Sequence, residues 1–301
     1  MFKIQNSIKE TLDYKFFIFP AGEVGIKLNC PNFRFFTNLP KNLEVTFDQP
    51  HIKTHTYKVT ARLHNSDDII SLAMIKNAIE NEDMEAKIDL FMPYVPYARQ
   101  DRICDTGEAF SLKVFTTLLN SLNFNSVTIC DPHSEVTPAL IDRVRVIDQL
   151  DIIRGFEAFR KRIIFGNCVF ISPDAGSNKK TSKLAAFFNH TNFIRADKLR
   201  NLATGQIKET IVYCDDFEGT DVVIADDLCD GGMTFIKLAE VLKKKNCGKV
   251  LLYVTHGVFS KGFAPLLDGG IDEIYTTDSF SKNLDDLCQK ILPATVNIYN
   301  L

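Results

Sequence analysis

Residues 222–235 read VVIADDLCDGGMTF. Four apolar residues run into Asp226, Asp227 and Asp230, and Gly231, Gly232, Met233 and Thr234 follow. An acidic stretch after a strand is ordinarily solvated surface or a helix cap, and Asp230 is suited to cap a helix beginning near Thr234. The glycines point to more specific chemistry. They let backbone N–H groups close on a ligand, and the helix N-terminus beyond them favours an anion such as phosphate. The carboxylates then accept hydrogen bonds from sugar hydroxyls without touching the phosphate. These residue types in this order describe a site for a phosphorylated sugar. The segment is not a P-loop, because no GK[ST] follows.

A site of this kind needs strands to present it. Short apolar runs rich in Val, Ile, Phe and Tyr predict buried strands at Ile88–Val95, Ser126–Cys130, Asn167–Ser172, Val222–Ala225, Lys249–Thr255 and Glu273–Thr276. Helical spacing occupies Asp67–Glu80, Ala109–Leu122, Ile153–Arg162, Thr181–Phe188 and Thr234–Lys245. Strands alternating with helices predict parallel sheets in α/β layers. The strands lead into polar loops: PYARQDR (96–102), DPHSE (131–135), PDAGSNKK (173–180), DDLCDGGMT (226–234) and HGVFS (256–260). Open α/β sheets bind ligands at the carboxyl ends of their strands, so this chain is laid out as an enzyme. There are enough units for two sheets, with a boundary near Val146–Arg154.

The 301 residues suit two domains. A net charge of -3 argues against a broad nucleic-acid footprint, so an anionic ligand must be held by local charge, amides or metal ions. None of the eight cysteines is spaced as CxxC, which argues against zinc. No apolar run approaches the roughly 18 residues of a membrane span. Free thiols and no leader-like start predict a reducing compartment, the cytoplasm.

The DD…DGGMT segment resembles the signature of type I phosphoribosyltransferases and of ribose-phosphate diphosphokinases (PRPP synthetases), which reads DD, two apolar residues, then DTGGT or DTAGT. Further motifs favour the second group. PYVPYARQDR (93–102) is close to that family's PYFGYARQDR, CDPHSE (130–135) to VDLHAE, SPDAGS (172–177) to SPDAGG and ADKLR (196–200) to a DKRR stretch at the root of a flexible catalytic loop. FPAGE (19–23) aligns with FSNGE and THGVFS (255–260) with THGLFS. The resemblance runs from about residue 19 to 280. It implies two phosphoribosyltransferase-like α/β domains, 1–147 and 148–301, each a mainly parallel sheet flanked by helices. It implies ATP contacts from Phe19, Glu23, Arg99, Gln100 and Asp101. His133 and Asp174 would hold Mg²⁺, and Lys198 and Arg200 would be the catalytic cations. Asp226, Asp227, Asp230, Gly231, Gly232, Met233 and Thr234 would bind the sugar phosphate. His256 has no assigned role.

The resemblance further implies transfer of the β,γ-diphosphate of ATP to the anomeric hydroxyl of a ribose 5-phosphate unit, releasing AMP. The partners would be small molecules, with a homo-oligomer, dimer or hexamer, as the assembly. Ser177 replaces the second Gly of SPDAGG, a departure that bears on the usual ATP contacts. Another departure bears on the acceptor. Where the family has DTGGT, a hydroxyl is lost at Gly231 and Met233 replaces a Gly. An apolar arm in the phosphate cradle suits a bulkier phosphodiester, such as the ADP-ribose used by phage-associated homologues in NAD salvage. A non-catalytic associated subunit and a phosphoribosyltransferase are the alternatives.

Overall fold

The computed structural model describes the backbone of residues 11–12, 14–18, 24–28, 43–47, 56–190, 192–200, 207–281 and 295–301. Side chains are described for 56–190, 192–197, 210–281 and 295–301. The chain divides into two compact units, Met1–Asp148 and Gln149–Leu301.

The first unit contains strands β1 (Thr11–Leu12), β2 (Tyr14–Ile18), β3 (Val24–Leu28), β4 (Leu43–Phe47), β5 (Thr56–Ala61), β6 (Lys87–Phe91), β7 (Ser126–Cys130) and β8 (Val144–Ile147). Its helices are α1 (Ser66–Glu82), α2 (Ser111–Ser121) and α3 (Val136–Leu140). A six-stranded sheet has the order β1-β4-β5-β6-β7-β8, parallel from β5 to β8, and β2 and β3 form a separate hairpin. Helix α1 starts where Asn65 caps it, its Oδ1 accepting from Asp68 N at 3.0 Å. Leu72, Ile75 and Ile79 of α1 and Leu112, Phe115 and Leu119 of α2 recur at helical spacing. They join Ile88, Leu90, Val127 and Ile129 of the strands in one core.

The second unit contains α4 (Gln149–Gly155), α5 (Glu157–Ile164), β9 (Cys168–Ser172), α6 (Asn178–Phe187), β10 (Ile194–Arg200), β11 (Ile207–Val212), β12 (Asp221–Cys229), α7 (Met233–Lys244), β13 (Val250–Gly257), α8 (Ala264–Asp268), β14 (Glu273–Thr277) and β15 (Val296–Tyr299). The sheet order is β11-β10-β9-β12-β13-β14-β15, all parallel except the β10–β11 pair. Alternation along β12 shows why its sequence reads as a continuous apolar run. Val222 and Ile224 enter a core with Phe235, Leu238 and Leu242 of α7, while Val223 and Ala225 enter another with Ile153, Phe159 and Leu184 of α4, α5 and α6. Both faces are covered, as parallel sheets require.

The helical pattern at Ile153–Arg162 resolves into two helices. The break falls at Phe156, which is buried and stacks on Tyr299 at 5.4 Å. Each unit is thus an α/β layer with a mainly parallel sheet. Among the described residues no helix is long and apolar enough to cross a membrane.

Candidate active site

In the second unit the chain runs from β9 outward to β10 and then returns to place β12 on the other side of β9. The strand order therefore reverses between β9 and β12. The connecting segments diverge at the carboxyl ends of β9 and β12, and open α/β sheets bind ligands at such a reversal. The β9 end carries Asp174 and the β12 end carries Asp226 to Thr234.

The loop expected after Ala225 begins later than the sequence suggested. Strand β12 continues to Cys229, so Asp226 and Asp227 are strand residues. The cause is unequal pairing. Strand β13 pairs with β12 as far as Cys229↔Gly257, whereas pairing with β9 ends at Ile224↔Ile171. One neighbour keeps the backbone extended while the β9-side edge is released beside 173–177. Gln149 Nε2 donates to the Asp226 carbonyl at 3.1 Å.

Asp174 turns its carboxylate back on its own chain. Its Oδ1 accepts from Ser177 N and from Ser177 Oγ, both at 3.1 Å, capping the single turn Ala175–Ser177. Ser177 Oγ also lies 3.5 Å from Asp226 Oδ1. The residue in place of glycine thus stands between two acidic side chains, with only one hydroxyl proton to share. Asp226 Oδ1 further accepts from Asp227 N at 2.9 Å. No cation pairs with Asp226 among the described residues. Burial, then the neighbouring Asp227 and the charge of Asp174, push its carboxyl well above the usual carboxylate range, against the lowering effect of the Asp227 N–H.

Helix α7 begins at Met233, one residue earlier than expected, and its cap is Gly232 rather than Asp230. Gly232 has φ +75, and a Cβ there would stand 2.7 Å from Leu266 Cδ2. Both the backbone conformation and the space therefore demand glycine. No side chain caps this helix, which leaves its first N–H groups available for an anion. Met233 is 51% exposed. Lys198 and Arg200 lie in β10, paired with β11 through Lys198↔Thr210 and Arg200↔Ile207, rather than in a loop.

In the first unit the loops after β6 and β7 are joined. Cys130 N donates to the Pro93 carbonyl at 3.1 Å. Arg99, Gln100 and His133 are exposed, and Asp101 is 5% exposed. Arg102 Nε donates to Asp101 Oδ1 at 2.9 Å. Burial would raise the Asp101 carboxyl, but hydrogen bonds from Ser134 and Arg102 and the charges of Arg102 and His133 hold it below its ordinary value. Asp101 thereby ties the loops after β6 and β7 together. Phe19 and Glu23 lie outside the described residues.

His256 is 3% exposed at the end of β13, and its Nδ1 is 2.8 Å from Ser279 Oγ. Ser177 departs visibly from glycine in the sequence, though not as a contact of Asp226, whereas nothing local in the sequence marks Gln149.

Residues present at the switch point suit a hard cation. Asp174 and Asp226 offer oxygen donors, and no group of three or more His, Cys, Asp or Glu among the described residues is arranged as a complete cage. Mg²⁺ is bound in that manner, through one or two carboxylates together with substrate phosphates and waters.

A doubly covered parallel sheet with acidic residues and a glycine-capped helix at its reversal point defines a phosphoribosyltransferase-like α/β unit. The family model for the phosphoribosyl synthetase-associated domain matches residues 169–301. The chain is 30% identical over 216 residues to a ribose-phosphate pyrophosphokinase of Pasteurella multocida, spanning 71% of this chain and 67% of that one. It is 26% identical over 232 residues to one of Pyrococcus furiosus, spanning 77% and 80%. The crystal structure of phosphoribosylpyrophosphate synthetase from Mycobacterium smegmatis shares the fold. Its TM-score is 0.72 over 96% of this chain and 86% of that chain, at 18% identity. The chain belongs to the ribose-phosphate pyrophosphokinase family and is a transferase of that type.

Proposed function

We propose that this protein transfers the β,γ-diphosphate of ATP to the anomeric hydroxyl of a ribose 5-phosphate unit and releases AMP. The observation that carries the reading is the switch-point arrangement itself: Asp174, Ser177 and Asp226 in contact beside an uncapped helix N-terminus. Asp226, Asp227 and Asp230 accept hydrogen bonds from the ribose hydroxyls. The amides of Gly231, Gly232, Met233 and Thr234 hold the acceptor phosphate. Arg99 and Gln100 contact ATP, Asp101 holds their loop, and Phe19 and Glu23 contribute to adenine binding. Lys198 and Arg200 stabilise charge on the transferred group. The acceptor O1 attacks the β-phosphorus in line, with no protein nucleophile, so positioning and charge neutralisation dominate. Mg²⁺, with His133 and Asp174 as its protein residues, supplies neutralisation of phosphate oxygens when bound.

The exposed Met233 at the start of α7 favours a second form of the same reading, with ADP-ribose as acceptor. A methionine tolerates a bulky ester group where the cradle would otherwise close on a monoester. The assay is incubation with ATP, Mg²⁺ and either ribose 5-phosphate or ADP-ribose. AMP appears with at least one acceptor. AMP from neither, or turnover seen only in an active homologue with which this chain copurifies, would favour a non-catalytic subunit instead. Compartment and assembly are proposed as cytoplasmic and homo-oligomeric.

A further inference from the structure

We propose that Lys261 is a specificity-determining residue of the acceptor site, placed over the glycine loop to bind the phosphate ester of a ribose 5-phosphate unit. This rests on the assignment of 231–234 to the acceptor phosphate.

The THGVFS motif takes no part in the reaction described above. After Gly257 the chain folds sharply back. Val258 N and Phe259 N both donate to the Cys229 carbonyl, at 2.9 and 3.1 Å, so the loop is tied to the last residue of β12. Phe259 has φ +45 and packs on Phe263 with ring centroids 4.6 Å apart. A Cβ at Gly257 would meet the Phe259 ring at 2.1 Å, which explains the glycine in the motif. Gly262 N donates to the Phe259 carbonyl at 2.7 Å, with Gly262 at φ +72 closing the turn. Lys261 stands at the tip of this braced turn.

Its side chain runs alongside the phosphate loop. Lys261 Cε and Cδ lie 3.7 and 3.8 Å from the position a Cβ would take on Gly231, and Ser260 Oγ lies 4.0 Å from it. Lys261 is exposed and makes no hydrogen bond or ion pair among the described residues. Three lysines of this unit are engaged by acidic side chains: Lys243 with Asp272, Lys249 with Glu273 and Lys237 with Glu240. A cation with no partner among the described residues, carried on a braced turn beside helix amides that no side chain caps, completes an anion site with a point charge. The amides alone give direction, and the ammonium supplies the charge that distinguishes a phosphorylated sugar from a neutral one.

The test uses the full chain and the variants Lys261→Ala, Lys261→Arg and Lys261→Glu. Ribose 5-phosphate, ADP-ribose and unphosphorylated ribose are titrated calorimetrically, and KM values are measured for ATP and both acceptors. The dissociation constant of a phosphorylated acceptor is expected to rise about tenfold in Lys261→Ala and further in Lys261→Glu. Lys261→Arg retains most of the affinity, and the KM for ATP stays within twofold. Binding of both acceptors within twofold of wild type in Lys261→Ala and Lys261→Glu overturns the proposal. So does failure of the wild-type protein to bind either acceptor, or an equal loss for ATP. Lysine-dependent acceptor binding without AMP release would instead refute diphosphate transfer and leave this assignment standing.

Discussion

Strand β12 begins with Asp221 and carries Asp226 and Asp227 in its carboxyl half, and the two regions are built on opposite principles. At the amino end Asp221 is met by Arg162 Nη2, and Lys249 N donates to its Oδ1 at 2.7 Å. Arg162 also reaches Glu273 at 2.9 Å, and Glu273 is further held by Lys249 at 3.1 Å and Tyr275 OH at 2.8 Å. Burial raises the Asp221 and Glu273 carboxyls, but these hydrogen bonds and charges more than offset it and both lie below their ordinary values. At the carboxyl end Asp226 has acidic neighbours and no cation pairs with it among the described residues, and its proton affinity is raised. Carboxylates whose charge the protein neutralises serve the sheet, and the proposed role of Asp226 leaves its charge for a ligand to neutralise.

The largest effect should come from exchanging the two ends. Asp226→Asn is expected to lower kcat/KM for the acceptor about 100-fold, the equivalent of one or two charge-assisted hydrogen bonds. It should not lower Tm at neutral pH. The native carboxyl titrates above its unfolded value, so wild-type stability falls as pH rises through that interval, and the variant escapes the loss. Asp221→Asn should do the reverse, holding kcat/KM within about threefold while lowering Tm. Equal behaviour of the two variants would erase the distinction.

Arg162→Met sharpens the amino-end half of the contrast. It strands Asp221 and Glu273, which are mostly buried, and about 3 kcal/mol of stability is expected to go. For a unit of this size that lowers Tm by roughly 6–12 °C. The paired carboxylates contribute stability above their unfolded values, 3.8 for Asp221 and 4.5 for Glu273, and lose it as pH falls through their lower native ones. The wild type should therefore lose more stability on acidification than the variant. Matching acid-unfolding profiles would contradict the pairing.

A smaller effect is expected from Gly232→Ala. Its φ of +75 and the approach of Leu266 make the substitution cost about 1–2 kcal/mol, measured by denaturant midpoint. Acceptor KM should rise while ATP KM holds. An unchanged acceptor KM would show that the loop does not form the phosphate cradle.

Much of this contrast was legible in the sequence. Ser126–Cys130 is a strand with the bounds its residues suggested, and Glu273–Thr276 differs by one residue, because short apolar runs between polar loops admit few other readings. The carboxyl-end motifs were recognisable because their chemistry is local. What escaped was set by partners distant in sequence. Two aspartates read as loop, yet β13 pairing keeps them in a strand. Strands β10, β11 and β15 carry mixed polar sequences whose extended form depends on a neighbouring strand. Arg162 looked like the end of an ordinary helix, and its partners lie 59 and 111 residues away.

The central claim is that acidic residues at the β9–β12 reversal present a ribose hydroxyl to the β-phosphorus of ATP. The most direct test is ³¹P NMR of a reaction with ATP labelled by ¹⁸O at the α,β-bridging position. Attack at the β-phosphorus predicts that the bridging label leaves with AMP and that a diphosphate appears on the acceptor anomeric carbon. Formation of ADP, or of free pyrophosphate with label retained in it, would contradict the account.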